Sequence, residues 1–312
     1  MITVSEEGAV DFARTARVAT EAFGSQDVTF SAARMQWLYE RAFGEGYTVV
    51  TALDNDNKVG QIVLLHQKIH LDGRPVVATQ LVDLFILQAY RSQKLLPRIY
   101  REIEQLCETR NIRLIVTLPN VHSAGPNAHF LKLRPFLSLP IRAGISLGRA
   151  RPARLQFSGT IQATRKDDVV ERLSGFVTPL TENGPHWDAA RLFERMSDPT
   201  RGYAIHATED LLLVSSSRKT RGISHVLLCG FFARPQTIAA TSDVRELIRA
   251  AAHLWRHRIF IYAGINNSLA QLPGFPLPAR FRRPVLVQMR DFDSGAADLR
   301  FDRFQLIDSD FV

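Results

Sequence analysis

A chain of 312 residues exceeds one ordinary domain, and two domains of roughly 150 residues are expected. With 46% hydrophobic and 22% charged residues it has the composition of a soluble globular protein, and no stretch reaches the ~20 apolar residues that would span a membrane. The net charge of +8 favours anionic partners by long-range attraction, although the arginine clusters at Arg149–Arg154 and Arg280–Arg283 carry no basic-aromatic motif of a nucleic-acid module. The opening MITVSEEGAVDFAR has acids where a signal peptide has a basic region, so a cytoplasmic location is expected. Cys107 and Cys229 lie in apolar stretches and read as small buried hydrophobes. The nine histidines show no ligand spacing, and no metal is expected.

In chain order, residues 1–4 read as a short strand, and 11–23 and 31–43 as amphipathic helices. Strands follow at Tyr47–Leu53, Val59–Leu71 and Val76–Leu87, the last two joined by the hairpin dipeptide Asp72-Gly73. Pro97 opens a helix to Arg110, with Ile99, Ile103, Leu106 and Cys107 on one face. Ile112–Leu118 is a buried strand, and a short helix lies near His129–Leu133. Gly148–Arg154, with Pro152 and three arginines, reads as the linker. Beyond it come a strand-like Leu155–Ala163 and helices at Lys166–Leu173 and Asp188–Met196. Strands are expected at Tyr203–Ala207, Leu211–Ser216 and Ser224–Ala233, then a helix capped by Ser242 or Asp243. Ile259–Ala263 and Pro284–Met289 are the late strands.

This order repeats. Ser31-Ala-Ala-Arg-Met35 matches Asp188-Ala-Ala-Arg-Leu192, and Gly46-Tyr47 and Gly202-Tyr203 follow 15 and 14 residues later. Each copy then runs through strands, a long helix and a buried strand that ends near Asn120 and Ser123 or near Asn266 and Ser268. Matching order and spacing over several elements indicates a duplication.

The stretch Asp83-Leu-Phe-Ile-Leu-Gln-Ala-Tyr90-Arg91-Ser-Gln-Lys-Leu-Leu96 is a strand entering a basic loop and then a helix, followed by Pro119-Asn120-Val121-His122-Ser123. It resembles the core of the GNAT acyltransferase superfamily, and members that act in polysaccharide pathways carry a similar Pro-Asn-x-x-Ser. Ser197–Tyr203 and Phe304–Asp310 are similar to segments of tandem members. The resemblance implies an α+β fold of two tandem GNAT-like modules, each a mixed central sheet flanked by helices. Residues 1–148 would form an acyl-CoA-binding module and 149–312 a degenerate one. It implies acetyl-CoA or another acyl-CoA as co-substrate, with transfer to a small-molecule amine, an amino sugar among the candidates. The cofactor-binding set would be Phe85, Ile86 and Leu87 on the strand, Arg91, Ser92, Gln93, Lys94, Leu95 and Leu96 in the loop, and Asn120 on the pantetheine amide. The loop departs from the family pattern, which has glycine near Lys94 and often near Leu96, and the segment lacks the tyrosine that many relatives use as an acid.

Asp83 interrupts an apolar strand. A carboxylate flanked by apolar groups has a raised pKa, which suits a base acting on an attacking amine; the ordinary alternative is an outward strand residue. Ser123, His122 or His129 would protonate the leaving thiolate, against the ordinary reading of loop capping by Asn and Ser. Gly144-Ile-Ser146-Leu-Gly148 spells a hydrolase nucleophile elbow, but the following Arg-Ala-Arg-Pro does not start a helix, and Ser146 is discarded as a nucleophile. Three functions stay open: an acyl-CoA-dependent N-acyltransferase, a catalytically inactive tandem scaffold or binding protein, and a relative of transferases that use aminoacyl-tRNA.

Overall fold

The computed structural model describes residues 1–24, 30–92, 94–177, 181–220, 222–278, 284–293 and 299–310. Gln93 and the cluster Arg280–Arg283 lie outside them. The first half contains β1 (Ile2–Glu6), α1 (Phe12–Phe23), α2 (Ala32–Glu40), β2 (Tyr47–Asp54), β3 (Asn57–Leu71), β4 (Arg74–Ile86), α3 (Leu95–Thr109), β5 (Leu114–Thr117), α4 (Ala124–Phe130), β6 (Arg134–Leu139) and β7 (Ile141–Ile145). The second contains β8 (Phe157–Thr160), α5 (Lys166–Ser174), β9 (Gly184–Pro185), α6 (Ala189–Met196), β10 (Tyr203–Ala207), β11 (Leu211–Thr220), β12 (Ile223–Ala233), α7 (Thr241–Trp255), β13 (Ile259–Asn266), β14 (Phe275–Pro276), β15 (Val285–Asp291) and β16 (Arg303–Gln305). The hairpin forms where Asp72-Gly73 places it, with φ of 51° and 74° at the two turn residues. Helix α7 starts behind Ala240, two residues before the expected Ser242 and with no side-chain cap. β6 and β7 were not expected from the sequence, because Pro135 and Pro140 break their pattern.

Two mixed sheets result, flanked by helices. One runs β1-β2-β3-β4-β5-β15-β6, the other β8-β10-β11-β12-β13-β7-β14. In both, four antiparallel strands lead to a single parallel pair, β4 with β5 and β12 with β13. The strand after each parallel pair comes from the opposite half: β15 lies on β5, and β7 lies on β13. The two halves therefore exchange a strand across the linker.

The duplicated motif has one structural role in both copies. Ser31 and Asp188 cap α2 and α6, their side-chain oxygens accepting from the backbone N–H of Arg34 and Arg191 at 3.3 and 2.8 Å. Each motif arginine then pairs with a carboxylate of the other copy: Arg34 with Asp198 at 3.4 Å, and Arg191 with Glu45. Trp37, Tyr39 and Phe43 of α2 and the loop after it share one apolar core with Trp187, Leu192, Met196 and Tyr203. A second core lies under α3, around Ile99, Tyr100 and Ile103. Burying this much aromatic surface between the copies, at ~25 cal/mol per Å² of apolar area, holds them as one body.

Candidate functional site

The parallel pairing of β4 with β5 ends at Gln80 and Val116. β4 continues to Ile86 against β3, whereas β5 stops at Thr117. The two strands therefore splay, with the Thr117 hydroxyl donating to the Leu81 carbonyl at 3.0 Å near the apex. A cavity of about 340 Å³ opens there, walled by Leu81–Leu84 on one side and by Thr117–Asn120 and Ser123 on the other. Phe23, Phe30 and Asp310 also line it, the two rings stacked with centroids 4.7 Å apart.

β4 bulges at this point. Gln61 faces Phe85 and Val63 faces Val82, so β4 carries one residue more than β3, and Asp83 has φ +48°. A non-glycine residue in the left-handed region costs roughly 1 kcal/mol, and it turns this carboxylate into the cavity. The Tyr39 hydroxyl donates to Asp83 Oδ2 at 2.7 Å and accepts from Gln61 Nε2 at 3.0 Å. Burial pushes the Asp83 carboxyl above its usual range, against the Tyr39 hydrogen bond and the charge of Arg34.

Asp310 is the residue that the sequence did not reveal. Its Oδ1 accepts from Gln80 Nε2 at 3.3 Å, and Arg34 Nη2 donates to its carbonyl at 3.5 Å. Burial, and then the neighbouring charge of Asp83, push its carboxyl up to about 6, while Arg34 opposes them. The segment Phe304–Asp310 is similar to one in tandem family members, but a paired acid so distant in the chain leaves no local pattern.

Asn120 and Ser123 line the cavity and also tie their own turn: Asn120 Oδ1 accepts from the backbone of His122 and Ser123 at 2.8 and 3.0 Å, and Ser123 Oγ accepts from Asn120 N at 3.1 Å. This turn leaves His122 exposed and off the cavity wall, and His129 is exposed as well. Phe85 is buried in the core. Leu87 donates its N–H to Val59 at 2.8 Å. Arg91 donates to the carbonyls of Ile86 and Ala22 at 3.1 and 3.0 Å, tying the end of α1 to the end of β4. Ser92 and Lys94 are exposed, Leu95 is buried, and Leu96 packs partly against the core under α3. Lys94 has φ +54°, the conformation that favours the glycine of the family pattern, and no side chain caps the α3 N-terminus behind it. Ser146 follows β7 directly and leads into no helix, whereas a nucleophile elbow needs one there.

The second module differs at the matching places. Its bulge falls at Cys229, because Val214 faces Gly230 while Ser215 faces Leu228. That thiol is buried and pushed up to about 12. Its parallel pair ends at Leu228 and Tyr262, and beyond them β16 lies on β13. The Gln305 side chain enters the gap like a peptide group: Phe231 N donates to its Oε1 at 2.8 Å, and its Nε2 donates to the Phe231 carbonyl at 3.0 Å. A Cβ at Gly264 would meet the Phe304 carbonyl oxygen at 2.8 Å, so only glycine admits the segment. The second cleft is filled by its own chain.

No family model matches the sequence, and no curated protein matches it either. Solved structures do. A probable N-acyltransferase from Enterococcus faecalis is similar over 93% of this chain and 73% of its own, with TM-score 0.63 and 11% identity. A GCN5-related N-acetyltransferase from Anabaena variabilis gives TM-score 0.61 and 9% identity over 93% of this chain and 73% of that one. A tandem GNAT protein from the clavulanic acid biosynthesis pathway gives 0.60 and 11% over 93% and 98%. Identities this low carry the fold alone. Together with the duplicated sheets and the splayed strand pair, they show that this chain has the GNAT fold, built twice in tandem.

Proposed function

We propose that the first module is an acyl-CoA-dependent N-acyltransferase that transfers an acetyl group to a small-molecule amine. The observation that carries the reading is the opening between β4 and β5 with Asp83 on its wall. Free backbone of β4 beyond Val82 offers the pantetheine arm an edge to pair with, and the uncapped first turn of α3 offers the N–H groups of Leu95 and Leu96 to the pyrophosphate. Pro97, third in the helix, has no N–H to add. Asp83 and Asp310 hold the incoming ammonium between them. Asp83 takes its proton, directly or through water, as nitrogen attacks the thioester carbonyl; the C–N bond forms and the C–S bond breaks. Ser123, the member of the three candidate acids that lines the cleft, gives its hydroxyl proton to the leaving sulfur and regains one from the second N–H that the nitrogen loses as the amide forms.

Titration calorimetry with acetyl-CoA and longer acyl-CoAs tests the first half of this reading, and silence across all of them removes it. A thiol-release screen over amines, amino sugars included, tests the second half. The alternative of an inactive scaffold draws on the glycine-free loop and gains support if CoA binds and no amine is acylated. For the second module that alternative is favoured outright by Cys229 at its bulge and Gln305 in its cleft.

A further inference from the structure

We propose that the outer edge of the second sheet is a docking surface for a membrane that carries anionic phospholipid. This edge is formed by β14 on β7. Along β7 and its extension alternate residues face outward: Ile145 is 66% exposed and Leu147 70%, while Ser146 between them is buried. On the neighbouring strand Phe275 is 80% exposed. The three side chains line one hollow of about 400 Å³, into which Arg245 and Arg249 also project. A second hollow beside it shares Leu147 and is lined by Arg149, Arg256 and Arg258.

The charge on this face is unbalanced. Arg249 meets Glu246 at 3.4 Å, but Arg149, Arg245, Arg256 and Arg258 form no ion pair among the described residues. Protruding aliphatic and aromatic groups ringed by unpaired guanidinium groups complement a surface with phosphate charge above hydrocarbon. A nucleic acid would answer the charge, but two of the three exposed apolar groups, Ile145 and Leu147, are aliphatic, and only Phe275 among the three offers a ring for a base to stack on. No helix among the described residues is long and apolar enough to cross a membrane; the proposed contact is with one face of the bilayer.

The full chain is sedimented with vesicles of phosphatidylcholine alone and of phosphatidylcholine mixed with phosphatidylglycerol. Binding to the mixed vesicles only, weakening as salt rises, is expected. The double variant L147E/F275E should abolish it. R149E/R256E should weaken it about 25-fold or more, each charge near the surface being worth roughly fivefold. All four side chains are exposed, so unchanged melting confirms that the variants fold. The proposal falls if the mixed vesicles do not sediment the protein, or if L147E/F275E sediments like wild type. It falls too if the wild type is an oligomer that L147E/F275E converts to monomer, because a second copy then covers this face. Binding of a single-stranded oligonucleotide that competes with vesicles and survives L147E/F275E overturns it as well.

Discussion

Asp83 holds a backbone conformation that a strand carboxylate ordinarily avoids, and burial beside its bulge pushes its carboxyl above the usual range. If it is the base, Asp83→Asn should lower kcat by about 100-fold or more while leaving acetyl-CoA affinity near wild type, measured by thiol release and calorimetry. Melting should not suffer, since a buried carboxylate is exchanged for a neutral amide of the same shape. If Asp310 is the second counter-charge, it should set a pH limb. Its carboxyl is pushed up to about 6, so kcat/KM should fall as pH drops through that value and the ammonium loses its second counter-charge. In Asp310→Asn the limb should vanish and the plateau should drop. A profile that keeps the limb in the variant assigns it to another group. Asp83 was legible in the sequence because one acid stands among Leu81, Val82, Leu84 and Phe85. Asp310 was not, because its partners Gln80 and Arg34 are brought to it only by the fold. His122 was over-read: its neighbour Asn120 closes a turn that faces it to solvent.

At the scale of single elements, the entry to α3 carries the next prediction. Lys94→Gly removes the Cβ from a left-handed position, worth roughly 1 kcal/mol, and opens the main chain to a close ligand. Melting should rise by a few degrees, and acetyl-CoA should bind severalfold tighter by calorimetry; unchanged affinity would place the pyrophosphate elsewhere. In the second sheet His206 of β10 lies between Ser158 of β8 and Ser215 of β11, at 2.7 and 2.8 Å. Burial pushes its imidazole down to about 3. The unfolded chain takes up a proton near pH 6.5 that the folded chain refuses, so this stability is complete above 6.5 and is lost as pH falls toward 3. Urea unfolding should show a loss of about 2 kcal/mol between pH 7 and pH 5, reduced in His206→Gln. Elements with clean periodicity, such as α3 and β10–β12, were legible to within a few residues. β6 and β7 were not, because prolines interrupt short runs whose pairing is supplied by strands far along the chain.

For the whole molecule, the linker at Gly148–Arg154 divides the sequence more cleanly than it divides the sheets. β7, before it, belongs to the second sheet, and β15, after it, to the first. A strand's side-chain alternation records which faces are buried and says nothing about which sheet it joins, so the exchange could not be read in advance. The fragment 1–148 should therefore lack native circular dichroism and elute as an aggregate, whereas co-expression with 149–312 should restore a native-like complex. Independent folding of 1–148 would show that β15 is dispensable.

The exchange also fixes an order in time. Synthesis runs from the amino end, so β5 emerges early and waits without its outer neighbour until Asp291 has been made. Throughout that interval the first sheet offers the ribosome surface a raw, sticky flank, the kind that holding chaperones recognise. The sheet begun first is thus closed only near the end of synthesis, and slow codons late in the message would lengthen its most vulnerable moment.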